Sequence, residues 1–337
     1  MIQSKTETNT GSYSEKYFQI SPQILTSFPK FRPPLNLYIF KEKMNDIEPF
    51  HYAGQKLSKP KQKELSELCN EGRIFVARSD YHIYAEHLSK QLDLILMDTN
   101  LKEGETADIL IQGLTERIRE FFEQPVQPIF DTLYNDLLVL TEYLWQDAYR
   151  EKGLLKRLLC HNTLESLSFN TLIFGLSLYM EIQGKELKRG YLDGMAIGLS
   201  CTLLGMSKIP EYARNKQQKL TPDEEKKIKQ YPLTGTNILQ KLSVKNETAL
   251  NCVKEHQERI NGTGYPDGLR DKEISLPGRI AAISSAFSHY LAQMPQDNSS
   301  TPLQISNKLA EMPKLFDSHL ASKFKNIIQR TFVELNY

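Results

Sequence analysis

The stretch His256-Gln257-Glu258-Arg259-Ile260-Asn261-Gly262-Thr263-Gly264-Tyr265-Pro266-Asp267-Gly268-Leu269 decides the reading of the chain. It reads as a helix carrying His256 and Glu258 two residues apart, followed by a loop dense in glycine and proline. Gly262 and Gly264 permit a positive φ or a close backbone approach, Pro266 stiffens the loop, and Tyr265 projects an amphipathic ring from it. Arg259 and Gln257 read as surface residues of the same helix. Further signals lie on either side. Upstream are Leu203-Leu204-Gly205-Met206-Ser207-Lys208-Ile209-Pro210, then Leu220-Thr221-Pro222-Asp223-Glu224, then Tyr231-Pro232-Leu233-Thr234-Gly235. Thr221, Pro222 and Glu224 supply an N-cap, an N1 proline and an N3 carboxylate, which together predict a helix start. Downstream, Gly278-Arg279-Ile280-Ala281-Ala282-Ile283-Ser284-Ser285-Ala286-Phe287 reads as a further helix.

In order and spacing these segments resemble the motifs of the HD-GYP phosphodiesterases, which hydrolyse the bacterial second messenger cyclic di-GMP: HDIGKIxIP, LTxxE, HPxxG, HHE-x-x-DGxGYP and RIxxVADxxDA. The stretch between Lys208 and Pro210 is two residues shorter than in that pattern. The resemblance implies an all-helical domain whose catalysis uses divalent metals held by histidine and aspartate, so that a bridging water becomes a nucleophile. Carried over residue by residue, the first-helix histidine falls on Leu167, the HD dyad on Leu204 and Gly205, and the HPxxG histidine on Tyr231. The second histidine of HHE falls on Gln257 and the late aspartate on Ser285. Retained are Lys208, His256, Glu258, Gly262, Gly264, Tyr265 and Pro266. An RPYR-like segment that follows in the family falls on Met294-Pro295-Gln296-Asp297, without an arginine to grip phosphate.

Two readings stand beside each other at each retained residue. His256 is either a metal ligand or a histidine hydrogen-bonded to Glu258 or to a backbone carbonyl; the second is favoured, because one imidazole does not hold a dinuclear centre. A relocated site built from His256, His289 and Glu258 is the lesser alternative. Lys208 is either a phosphate ligand or a solvated or helix-capping lysine. Gly264, Tyr265 and Pro266 are either a partner-docking loop, as the resemblance implies for GGDEF proteins, or a loop kept for its backbone geometry.

Working outward, the 337 residues suffice for about two domains. Residues 1–28 read as a polar flexible tail, residues 29–100 as a small α/β domain, residues 101–160 as connecting helices, and residues 161–337 as the helical HD-GYP-like domain. In the α/β domain, Leu37-Tyr38-Ile39-Phe40 and Arg73-Ile74-Phe75-Val76-Ala77 read as strands, residues 58–69 and 81–92 as helices. The helices from residue 103 to 160 are broken at Pro125 and Pro128, with Leu133, Leu137, Leu140 and Leu144 on one face. The fold class expected is mainly α, with an α/β module ahead of an all-helical domain.

With 42 basic and 41 acidic side chains the formal charge is +1, which argues against a general nucleic-acid binder. The seven histidines are scattered singly, too few for a histidine-rich multi-metal hydrolase. The four cysteines form no CxxC pair, so neither a zinc knuckle nor a disulfide framework is expected, and a reducing cytoplasm fits. No h-region of a signal peptide opens the sequence, and the charge-free runs at residues 166–180 and 280–296 are too short or too polar to span a bilayer. The function expected is therefore a catalytically inactive HD-GYP-like module that needs no cofactor and contacts a protein partner: a GGDEF protein, a PilZ-type adaptor, or a second copy through residues 131–149. The alternatives are a receptor that binds cyclic di-GMP without hydrolysing it, with Lys208 as the one basic group retained, and an active phosphodiesterase with atypical ligands.

Overall fold

The computed structural model describes residues 16–41, 44, 46–98, 100–157, 159–214, 221–294 and 301–332. The chain divides into two compact units, Met1–Gly113 and Leu114–Tyr337.

The first unit is a small antiparallel sheet covered by helices. Its strands are β1 (Tyr17–Gln19), β2 (Leu37–Lys41), β3 (Asp46–His51) and β4 (Ile74–Ala77), in the order β1-β4-β2-β3. Register is set by pairs such as Phe18 with Val76 and Ile39 with Ile74, which put Phe18, Leu37, Ile74 and Val76 into the core. Helices α1 (Pro22–Ser27), α2 (Lys59–Asn70) and α3 (Tyr81–Ser89) supply Ile24, Leu65, Tyr84 and Leu88 to the same interior. Three expectations are corrected. The tail read over residues 1–28 reaches too far, because β1 and α1 lie within it; Phe18, Ile20, Ile24 and Phe28 are buried, and burial rather than periodicity holds so short a strand. Strand β3 escaped the sequence reading because Pro49 interrupts it, and proline is tolerated at the sheet edge that β3 occupies. Helix α3 stops at Ser89, and residues 92–97 continue as a 3-10 turn.

Helix α4 (Glu103–Glu123) runs across the division, and among its described residues the second unit is built of helices and connecting loops, without a strand. Its helices are α5 (Gln127–Gln146), α6 (Glu151–Leu155), α7 (Leu164–Gln183), α8 (Arg189–Ser200), α9 (Glu211–Arg214), α10 (Pro222–Lys241), α11 (Glu247–Glu255), α12 (Leu276–Ala292), α13 (Pro302–Ala310) and α14 (Ser318–Phe332). The break expected here falls at Pro125, between α4 and α5, and Pro128 lies in the first turn of α5, where a missing N–H costs nothing. Leu133, Leu137, Leu140 and Leu144 are buried as their spacing requires.

Helix α7 is the axle of the unit. Every residue from Ser166 to Met180 is buried, which explains a charge-free run too short to cross a bilayer. Among the described residues no helix is long and apolar enough to span a membrane. Phe174 of α7 meets Phe287 of α12 edge-on at 4.7 Å, and Phe287 meets Phe324 of α14 at 4.9 Å. Side chains cap the helices that carry the motifs. Thr221 and Glu224 form the full capping box of α10, and Asn246 and Ser275 cap α11 and α12.

Candidate functional site

The motif residues converge where α7, α10, α12 and the end of α11 meet. After α8 the chain turns through residues 201–204 into a 3-10 segment, Gly205–Lys208, and α10 lies directly against it. A Cβ on Gly205 would overlap the carbonyl oxygen of Tyr231 and stand 2.7 Å from the amide nitrogen of Gly235. No side chain fits there unless α10 moves, least of all the carboxylate that the HD pattern places at this position. Leu204 is wholly buried and Leu167 is 4% exposed, so these two positions present hydrocarbon where the pattern has imidazoles.

Helix α11 ends at Glu255 and His256 is its C-cap, so His256 and Glu258 lie past the helix instead of on it. The His256 ring is completely buried and both its nitrogens are engaged. Nδ1 lies 2.8 Å from the carbonyl of Val253, which only accepts, so this nitrogen carries the proton. Nε2 is therefore the acceptor, and it takes the Tyr231 hydroxyl at 2.6 Å. The Tyr231 oxygen in turn accepts from Nε2 of Gln257 at 2.9 Å. Burial pushes His256 down to about 3, keeping the imidazole neutral, and raises the Tyr231 phenol well above its ordinary value, keeping it a donor. Three motif positions thus close into one hydrogen-bonded chain.

The hydrogen-bond partner of His256 is a backbone carbonyl and Tyr231, and Glu258 serves another purpose. Glu258 is 1% exposed and its Oε1 accepts from the amides of Asp267 (2.8 Å) and Gly268 (3.2 Å), while Oε2 accepts from that of Leu269 (3.0 Å). One carboxylate thus gathers the far side of the Gly264-Tyr265-Pro266 loop. The near side is held by close packing: a Cβ on Gly264 would stand 2.5 Å from the Gln257 carbonyl oxygen and from Cα of Glu258. Gly262 has φ +78° and Gly268 has φ +67°, a region that favours glycine.

Gln257 and Arg259 are not surface residues. Gln257 is half-buried on Tyr231, and the Arg259 guanidinium donates to the carbonyls of His256 (3.2 Å) and Glu258 (2.7 Å) while lying over the Phe316 ring. Burial lowers the Arg259 pKa. Tyr265 is likewise half-buried instead of projecting; its ring meets Tyr231 edge-on at 6.3 Å, and burial raises its hydroxyl. A groove of about 590 Å³ nevertheless opens between the loop and α10, bounded by Tyr265, Pro266, Pro222, Lys226 and Lys229.

Ser285 sits in α12 at 1% exposure, and its Oγ has no hydrogen-bond partner among the described residues. One turn on, His289 donates Nδ1–H to the Ser285 carbonyl at 2.8 Å, and burial lowers its pKa. The relocated site fails on donors, since His256 has no nitrogen left and Glu258 is taken up by the loop. Lys208 donates to the carbonyl of Phe122 in the last turn of α4 at 3.1 Å, the geometry of a helix-capping lysine, and burial lowers its pKa. A cleft of about 600 Å³ lies beside Leu167, Lys208, Arg214 and His289, its bases offset by Glu123, Glu165 and Glu211. Leu220 and the Pro295-Gln296-Asp297 register lie outside the described residues.

The residues at this centre do not fit a pair of divalent cations. Two leucines, a glycine without room for a Cβ, one serine hydroxyl and a doubly bonded histidine do not make a ligand set. Among the described residues no three His, Cys, Asp or Glu side chains are grouped to hold a metal ion. Sequence reasoning missed the Tyr231–His256–Gln257 chain. The signal was present: Tyr231 and Gln257 both occupy histidine positions of one metal centre, so their side chains must face each other.

Residues 184–320 match the HD domain family HD_5. Relatives of this chain include the cyclic di-GMP phosphodiesterase PA4108 of Pseudomonas aeruginosa, 24% identical over 48% of this chain and 38% of the relative. Another is the cyclic di-GMP phosphodiesterase PdeB of Borreliella burgdorferi, 28% identical over 50% of this chain and 45% of the relative. A third is the cyclic di-GMP phosphodiesterase of Thermotoga maritima, 34% identical over 28% of this chain and 26% of the relative. The chain thus spans less than half the length of these relatives. In fold it is similar to Bd1817, a HDG"Y"P protein from Bdellovibrio bacteriovorus, with a TM-score of 0.61 and 16% identity, over 93% of this chain and 99% of that one.

Proposed function

We propose that this chain, which carries an HD domain of the HD-GYP type over residues 184–320, acts as a non-catalytic signalling module in a bacterial cyclic di-GMP pathway. Its output is a protein contact, made in the cytoplasm through the Gly264-Tyr265-Pro266 loop and the groove beside it, with a GGDEF or PilZ-type protein as the partner and no cofactor required. The observation that carries the reading is the closure at Gly205. An aspartate lost from an open cavity leaves space that water and metal still fill, but here the backbone of α10 fills it.

Support also comes from the hydrogen bonding of this arrangement: His256, Tyr231 and Gln257 are direct partners of one another. The relatives are phosphodiesterases by name, so hydrolysis is the outcome to be tested first. Purified protein supplied with Mn²⁺ or Fe²⁺ is expected to leave cyclic di-GMP and pGpG intact while the Thermotoga maritima cyclic di-GMP phosphodiesterase, run in parallel, cleaves cyclic di-GMP. Turnover that disappears in His256→Ala overturns the proposal. For the partner, purified GGDEF and PilZ proteins are expected to be retained by the wild type and released by Tyr265→Ala.

A second reading has one observation in its favour, the 600 Å³ cleft beside Lys208 and Arg214, large enough for a nucleotide that is held and not cleaved. Titration calorimetry with cyclic di-GMP tests it. Heat that vanishes in Lys208→Ala supports a receptor, and no heat up to millimolar ligand removes it.

A further inference from the structure

The first unit holds a groove of a different character from the clefts of the helical unit. It has a volume of about 430 Å³ and lies among α1, α2 and the segment joining α1 to β2. Pro22, Leu25, Pro29, Pro33 and Leu65 form apolar walls, and Leu25 and Leu65 are already 9% and 5% exposed, packed from behind. Around it stand Lys30, Lys59 and Lys63, all exposed, and no aspartate or glutamate lines it. Lys63 has Glu67 at 3.8 Å on the solvent side of its helix, whereas Lys30 and Lys59 make no ion pair among the described residues.

We propose that this groove binds a small amphipathic anion, a carboxylate carried on an alkyl or aryl body. The volume is that of a small-molecule site, with apolar side chains for the body and three exposed lysines among the lining residues for the head group. Charge complementarity fixes the sign of the ligand: the cleft of the helical unit balances its bases with three glutamates, but here no carboxylate lines the groove and Lys63 alone of the three lysines has a counter-charge, Glu67. The walls argue against a phosphate backbone, to which proline and leucine offer no donors, and lysine lacks the planar fork that grips phosphate bidentately. Binding and not chemistry is the role. The one thiol on the floor, Cys69, donates to the Ile20 carbonyl at 3.4 Å, and burial pushes it up to about 11.

Calorimetric titration of the full chain with sodium decanoate, and separately with decyltrimethylammonium, tests the proposal. Decanoate is expected to saturate one site per chain, and the cation of equal tail to bind about tenfold more weakly or worse. The triple variant Lys30→Glu, Lys59→Glu, Lys63→Glu is expected to lose about tenfold or more of the decanoate affinity. Ser66→Phe, at an exposed position lining the groove, should fill it with the same result. All these substitutions are on the surface, and far-UV circular dichroism and thermal melting confirm that each variant is folded. No saturable decanoate heat below millimolar ligand, equal affinity for the cation, or undiminished binding in Ser66→Phe overturns the proposal. So does an acidic amphipathic peptide that binds the groove while decanoate is silent, which would make it a protein-docking surface.

Discussion

The loop from Gly262 to Gly268 and the floor around Gly205 belong to one helical unit and differ in what they have kept. In the loop the polar groups are drawn inward: Glu258 holds three backbone amides, Arg259 caps two carbonyls, and glycine stands at each position where a Cβ would collide or φ is positive. On the floor the residues are apolar, or polar groups turned on one another. Leu167 and Leu204 are hydrocarbon, Gly205 admits the backbone of α10, and His256 spends both nitrogens on Val253 and Tyr231. The loop's architecture therefore does not depend on the metal donors that the HD pattern places beneath it. Glu258 supports the loop from within, and the floor packs as an ordinary core.

The sharpest way to break this contrast is to return a carboxylate to the floor. Gly205→Asp is expected to lose about 3–5 kcal/mol of stability in urea unfolding, because the new side chain collides with backbone and buries a charge without a partner. A variant that folds with wild-type stability and gains affinity for Mn²⁺ would show that α10 yields and that the floor is open.

Glu258→Gln tests the loop's side of the contrast. One amide oxygen cannot serve three backbone donors, and the loss expected is about 2–4 kcal/mol, with faster hydrogen exchange at Asp267, Gly268 and Leu269. Tyr231→Phe should cost less, about 1–2 kcal/mol, since it takes the hydroxyl partner from Nε2 of His256 and from Nε2 of Gln257. A neutral result there would mean that the chain of hydrogen bonds contributes nothing to the packing of the floor.

The smallest effect, over the single pH unit in which it is read, is a slope. His256 has a folded pKa near 3 against an ordinary value of 6.5, so between those limits the unfolded chain binds the proton that the folded chain refuses. Its contribution to stability is complete above about pH 6.5 and is lost as pH falls toward 3, by about 1.4 kcal/mol for each unit. Other buried groups titrate too, Glu255 with a raised pKa and His289 with a lowered one, so the quantity to measure is the difference from His256→Gln. The wild type should fall more steeply between pH 6 and 5. Parallel slopes would place the proton of His256 elsewhere.

Much of the helical unit was legible because its signals are local. The capping box of α10 needs only Thr221 and Glu224 three residues apart, and the leucine period of α5 needs only one face. The motif spacing of the second unit was legible in the same way, and it led to the HD domain. What stayed hidden depends on distant partners. Strand β1 is a strand because residues 75–77 lie beside it, and Tyr231 finds His256 across 25 residues of chain. From sequence, Gly205 is the loss of an aspartate; in space it is a position that only glycine can occupy. Tyr265 and Arg259 looked exposed because a loop and a charge usually are, and their burial follows from Tyr231 and Phe316 packing beside them.

The most direct test is metal binding by the folded chain of 337 residues. After reconstitution with Mn²⁺ or Fe²⁺ and removal of free ion, elemental analysis should find metal far below one per chain, with no heat of Mn²⁺ binding in calorimetry and no difference between wild type and His256→Ala. Near-stoichiometric metal that is lost in His256→Ala would contradict the account, because it would require an imidazole already committed to Tyr231 and Val253 to serve as a ligand.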